Sequence, residues 1–174
     1  MTISGKKVLL IIPHENFRDE EFNEVYRMLR QFGASVTVGS SSISQALGLQ
    51  GTKVRPDAEI SGADPKAFDA VVFIGGPGVR QYFTDRSVME VAQQAFLRGK
   101  IVAAISFAPS ILANAGILEK RAATSSLTEQ GNLIAHGATY TGREVEVAGN
   151  VITAKDPTCA HAFAEAIARE LFNQ

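Results

Sequence analysis

The sequence predicts an α/β domain, a mainly parallel sheet with helices packed on both faces, and three observations predict it. Apolar strand-like runs at 8–12, 35–39, 70–74 and 101–105 alternate with helical patterns at 18–32, 87–98 and 109–118; strands that alternate with helices build a parallel sheet. The chain has 174 residues, 45% of them hydrophobic and 20% charged, which suits a single domain, 1–174, with a full core. The run at 101–105 breaks at a polar residue into a helical pattern, a strand-to-helix corner of the kind such sheets use.

Helix 18–32 follows the first strand. It sets Phe22, Val25, Tyr26, Leu29 and Phe32 on one face, opens with Asp19, Glu20 and Glu21, and stops before Gly33. The segment 41–66 carries Gly48, Gly51, Pro56, Gly62 and Pro65, and reads as an excursion with a short hairpin near 52–55. After the third strand and helix 87–98, Pro109 sits where a first helical turn begins, and Ile111, Leu112 and Ala115 continue at helical spacing. Short strands are expected at 121–125, 140–147 and 151–153, with Gly149-Asn150 as the last turn, and a final helix at 157–172 closes the domain.

Composition excludes several classes. The net charge of −1 comes from mixed acids and bases with no lysine or arginine block, which argues against nucleic-acid and membrane partners. No apolar stretch approaches the roughly 18 residues of a membrane span, and the run at 8–12 is too short for a signal segment. Cys159 is the only cysteine and forms no internal disulfide, so a cytoplasmic location is expected. In the glycine run at 75–78, Gln81 stands where a dinucleotide fingerprint needs its third glycine, and no Gly-Lys-Ser/Thr occurs, so no nucleotide cofactor is expected. His14, His136 and His161 lack metal-ligand spacing, so no metal is expected.

The chemistry concentrates at the corner. Ala104-Ile105-Ser106-Phe107-Ala108 is a relaxed Gly-x-Ser-x-Gly, in which small residues two before and two after let the chain double back and present a nucleophile. Open parallel sheets bind ligands at the carboxyl ends of their strands. There the loop at 13–18, the glycine run and Ser106 converge. Gly76, with the N–H of Phe107, is a candidate oxyanion donor and Gly75 a candidate pocket residue; the alternative is that the glycines only let the turn pass a neighbouring loop. Glu21, in a helix's first turn, reads on its own as a solvated partner of the helix dipole. His14 and Phe17 are candidate pocket residues. Cys159 lies at a helix opening, yet Cys159, Phe163, Ile167 and Leu171 fall on one stripe, which reads as core.

These residues resemble the ThiJ/PfpI family, within the glutamine-amidotransferase-like superfamily that includes the Parkinsonism-associated deglycase and archaeal intracellular proteases. The resemblance spans nearly the whole chain. Its carriers are Asn16-Phe17-Arg18-Asp19-Glu20-Glu21, Asp69-Ala70-Val71-Val72-Phe73-Ile74-Gly75-Gly76, Gly99-Lys100 with Val102-Ala103-Ala104-Ile105, Ala108-Pro109, Ala115-Gly116-Ile117-Leu118, Ile152-Thr153-Ala154 and Ala162-Phe163. It implies a flavodoxin-like three-layer sandwich with a nucleophile elbow. It also implies a reactive cysteine at the elbow, often followed by histidine, a glutamate beside it (here Glu21), and a homodimer. Phe17 is the expected anchor of that dimer.

Two positions depart from the resemblance: Ser106 stands at the cysteine position and Phe107 at the histidine position. The implied chemistry is cysteine-dependent hydrolysis or hydration of small carbonyl compounds, glycated products or peptides, of peptidase, deglycase or glyoxalase type. A serine hydroxyl needs a positioned base that a thiol does not, so weak or absent activity is expected. The alternatives are a serine hydrolase using Ser106, with Glu21 or His14 assisting, and a non-catalytic binding, chaperone or stress-response module.

Overall fold

The computed structural model describes all residues, Met1–Gln174. Strand β1 (Lys7–Ile11) passes through a short strand β2 (Glu15–Phe17) into helix α1 (Asp19–Gln31), and β3 (Ser35–Ser40) follows. Next come β4 (Ala46–Gly48), β5 (Lys53–Val54), β6 (Ala58–Glu59), β7 (Ala70–Phe73), helix α2 (Arg86–Leu97) and β8 (Ile101–Ile105). The chain ends with α3 (Pro109–Asn114), β9 (Ala122–Ala123), α4 (Gln130–Ala135), β10 (Thr139–Tyr140), β11 (Val145–Ala148), β12 (Val151–Ala154) and α5 (Ala160–Phe172).

The main sheet runs β11-β12-β8-β7-β1-β3-β6, and only the β11–β12 pair is antiparallel. Its central order, β3-β1-β7-β8-β12, is that of the flavodoxin-like fold, whose order reverses between β1 and β7. Side chains alternate across each strand, so Val8, Leu10 and Ile12 join a core cluster under α1 and α5, while Leu9 and Ile11 join a second under α2 and α3. Each fully buried Leu, Ile or Val contributes about 1.5–3 kcal/mol, and both clusters are built of such residues.

Two local devices aim the loops at the carboxyl edge. Asp19 is buried, and its carboxylate accepts hydrogen bonds from the N–H groups of Gln50 and Thr52, each at 2.9 Å, which ties the β4–β5 hairpin to the start of α1. Asp85 caps α2 through the N–H of Ser87 at 2.9 Å.

Several boundaries differ from the sequence expectation. Helix 109–118 ends at Asn114, because Gly116 turns left-handed at φ 77° and the Ile117 N–H closes back on the Leu112 carbonyl at 3.0 Å. The stretch 140–147 splits around Gly142, φ 68°, into β10 and β11. The strand at 121–125 shrinks to β9, and the short helix α4 was not anticipated. Phe17 is fully buried, edge-on to Phe22 with 5.5 Å between ring centroids, because β2 pairs with β4 and turns the ring inward. It therefore cannot anchor a dimer. No helix is long and apolar enough to cross a membrane.

Candidate active site

The sheet register builds the corner. Phe73 pairs with Ala104, so two residues further along Gly75 and Ser106 leave β7 and β8 side by side. Ser106 takes φ 67°, a left-handed conformation that costs a non-glycine residue about 1–2 kcal/mol. Hydrogen bonds on both sides hold it there: its N–H donates to Ala154 at 3.0 Å, and its carbonyl accepts from the Ser126 N–H at 2.9 Å. Ala104 and Ala108 are fully buried around the turn, where larger side chains have no room.

Glu21 is fully buried against this corner. Its Oε2 accepts the N–H of Gly75 at 2.8 Å. Burial pushes its carboxyl up to about 8; the Gly75 N–H, the Ser106 hydroxyl and the Arg18 charge pull the other way without overcoming it. The Ser106 hydroxyl is near enough to exert that pull, yet the contact is looser than a well-formed hydrogen bond and Oε1 has no partner. At neutral pH Glu21 is mainly the neutral acid, a proton donor rather than a base.

Gly75 is the wedge that permits this approach. A Cβ there would stand 2.7 Å from the Ile105 carbonyl oxygen and 2.9 Å from both Glu21 Oε2 and Ser106 Cβ. Gly76, at φ 110°, would meet the Asn16 carbonyl oxygen at 2.5 Å and the Arg18 nitrogen at 2.6 Å. The two glycines are thus required by close approach as well as by the turn. The N–H groups of Gly76 and Phe107 donate to no acceptor within the chain. Phe107 is half-buried, and the Arg80 guanidinium lies over its ring, 5.3 Å from the centroid.

Other expected site residues lie elsewhere. His14 Nε2 is hydrogen-bonded to Ser44 Oγ at 2.9 Å and to the Ser44 carbonyl at 3.2 Å, so its ring is committed to that loop rather than to Ser106. Phe17 belongs to the core and lines no pocket. Cys159 is buried with Phe163, Ile167 and Leu171, as its stripe indicates, and burial pushes its thiol pKa up. Sequence reasoning singled out neither Arg18 nor Thr124, whose buried Nε and Oγ1 lack partners, and it missed Ser126. An arginine before an acidic helix start and a threonine just after a short strand carry no pattern that separates them from surface residues.

The DJ-1/PfpI family model matches residues 6–170. The chain belongs to the DJ-1/PfpI family. Among its DJ-1/PfpI relatives, the Deglycase PfpI of Pyrococcus furiosus is 32% identical over 151 residues, 87% of this chain and 90% of the relative. A glutathione-independent glyoxalase of Caenorhabditis elegans is 26% identical over 166 residues, 95% of this chain and 89% of its own. The crystal structure of a ThiJ/PfpI domain protein from Brachyspira murdochii superposes with a TM-score of 0.95 at 32% identity, covering 98% of this chain and 99% of that one. The flavodoxin-like architecture is therefore that of the DJ-1/PfpI fold, and deglycase and glyoxalase are the activities named among these relatives.

Proposed function

We propose that this DJ-1/PfpI domain keeps the family's elbow for small carbonyl compounds, glycated products or peptides, and that with Ser106 it turns them over weakly or not at all. The observation that carries this reading is the pairing of Ser106 with a buried acid. A hydroxyl attacks a carbonyl only when a base removes its proton. Glu21 holds its own proton up to about pH 8, and His14 is occupied by Ser44. Glu21 can donate to an oxygen in the site, and the free N–H groups of Gly76 and Phe107 suit an oxyanion. The elbow thus has proton donors and no base for the hydroxyl.

The test is turnover of a 2-oxoaldehyde by the wild type, Ser106→Cys and Ser106→Ala. A thiol ionises near neutrality without a base, so Ser106→Cys is expected to exceed the wild type by about 100-fold or more. Wild-type turnover that Ser106→Ala abolishes, together with labelling by a fluorophosphonate, selects the serine hydrolase instead. Silence of all three forms selects the binding or stress-response module.

We further propose that the domain works as a homodimer in the cytoplasm. Ile43, Leu47 and Leu49, exposed around the β4–β5 hairpin, replace Phe17 as its apolar contact.

A further inference from the structure

Three acids are buried in this chain: Asp19, Glu21 and Glu129. Asp19 ties the hairpin to α1 and Glu21 meets the elbow, whereas Glu129 serves neither contact. Its Oε1 accepts the Ser110 hydroxyl at 2.9 Å and its Oε2 the Thr128 hydroxyl at 2.8 Å, so each carboxyl oxygen has a donor. Ser110 Oγ in turn accepts from Asn132 Nδ2 at 3.0 Å, and the same amide reaches Asn114 Oδ1 at 3.0 Å. Burying a carboxyl costs free energy that an apolar side chain would not, and a network that satisfies it selects one geometry.

The contacts of Glu129 close a ring around the elbow. The Ser106 carbonyl accepts the Ser126 N–H at 2.9 Å, the Ser126 carbonyl accepts the Glu129 N–H at 2.9 Å, and Glu129 takes the Ser110 hydroxyl. Ser110 follows Ser106 by four residues, and its N–H donates to the Phe107 carbonyl at 3.3 Å, which brings the ring back to the corner. The segment 124–129 is itself anchored: the Thr124 N–H donates to Thr153 Oγ1 at 2.9 Å, and the Tyr140 hydroxyl to the Ser125 carbonyl at 2.8 Å. It is a strap from β12 to the start of α3. A left-handed serine persists only where its surroundings over-determine it, and in this ring the Ser110–Glu129 contact is the one made between two side chains.

We propose that Glu129 is a positioning residue of the elbow: through Ser110 and Ser126 it holds residue 106 in the left-handed conformation that faces Glu21. This rests on the reading of Ser106 as the reactive position, and adds what keeps it in place.

The test compares residue 106 with Cys159 inside one molecule. In Ser106→Cys, mild peroxide treatment followed by mass spectrometry gives both oxidation rates; global loosening raises the two together, while mispositioning slows residue 106 alone. Adding Ser110→Ala or Glu129→Ala is expected to slow oxidation of residue 106 about tenfold relative to Cys159, the factor that one lost hydrogen bond of this kind is worth. Adding Glu129→Gln is expected to restore the rate, because its amide accepts from Ser110 and donates to Thr128. Hydrogen exchange gives a second measurement with serine in place at 106. The Ser126 amide should exchange about tenfold faster in Ser110→Ala than in the wild type. The Ile74 amide, bonded to the Ile11 carbonyl at 2.9 Å, should keep its protection. Ser110→Ala removes a single hydroxyl, so it reports even where Glu129→Ala fails to fold. An unchanged oxidation ratio or unchanged Ser126 exchange in Ser110→Ala overturns the proposal, as does a Glu129→Gln form as slow as Glu129→Ala. Failure of the carbonyl-turnover reading looks different: Ser106→Cys stays inert toward 2-oxoaldehydes while the dependence of its oxidation on Glu129 persists.

Discussion

Glu21 and Gly75 are joined by a hydrogen bond of 2.8 Å from a backbone N–H to a carboxyl oxygen that has no exposure to solvent. One N–H does not offset the burial of a charge, so the acid keeps its proton up to about pH 8 rather than releasing it near 4.5. The folded protein then holds a proton that the unfolded chain has lost, and stability falls as pH rises through that window. The loss is on the order of several kcal/mol, and it is absent from Glu21→Gln, which accepts the Gly75 bond without titrating. Melting temperatures of both proteins at about pH 5 and about pH 8 should diverge, the wild type falling by roughly 10 °C more. Parallel pH profiles would remove the buried-acid account.

Gly75→Ala tests the close approach itself, because it leaves the identities of Ser106 and Glu21 unchanged and acts only on their spacing. The added methyl meets the Ile105 carbonyl, Glu21 and Ser106 at under 3.0 Å, so the β7 and β8 ends must part. Overpacking of this kind costs about 1–3 kcal/mol. Gly62→Ala, where no atom lies within 4 Å, serves as the control. Urea denaturation of the pair should show a clear loss for the first and little change for the second.

The sheet was legible because the strand runs are apolar on both faces, and Ser106 because alanines flank it at the end of such a run. Legibility stopped where distant partners decide. Nothing near His14 in the sequence points to Ser44, thirty residues away, which takes its ring. Phe17 looked like a loop residue, and only its pairing with β4 turns it inward. The periodicity of 109–118 continued through Ile117 and Leu118, which pack into the core from beyond the helix end that Gly116 sets. Helix α4 spans 6 residues without a side-chain cap, too short for a periodic signal.

The proposed dimer has a definite mass and a definite weak point. A specific two-fold contact buries on the order of 1,000 Å² or more, which requires an apolar centre. Leu47, 46% exposed, lies on the hairpin that Asp19 fixes to α1. Light scattering at micromolar concentration should give twice the chain mass for the wild type and a lower mass for Leu47→Glu. A monomeric wild type would leave the elbow to be completed by one chain.

The final prediction concerns two sulfurs in one protein. Ser106 and Cys159 are both only 4% exposed, so accessibility alone does not decide which thiol of Ser106→Cys reacts. Their partners do. Cys159 points a weak bond at Asp156 Oδ1, 3.6 Å away, and burial together with that negative neighbour raises its pKa and keeps it as an unreactive thiol. A thiol at 106 faces the protonated Glu21, which stabilises a thiolate by donating to it. Peroxide attacks the thiolate, and a sulfenic or sulfinic oxygen formed at 106 finds donors already in place. Mass spectrometry after mild peroxide treatment should therefore find oxygen on residue 106 before Cys159, and Glu21→Gln should keep that order while Glu21→Ala slows the reaction. Oxidation of Cys159 first would place the reactive position of this fold on the last helix instead of the elbow.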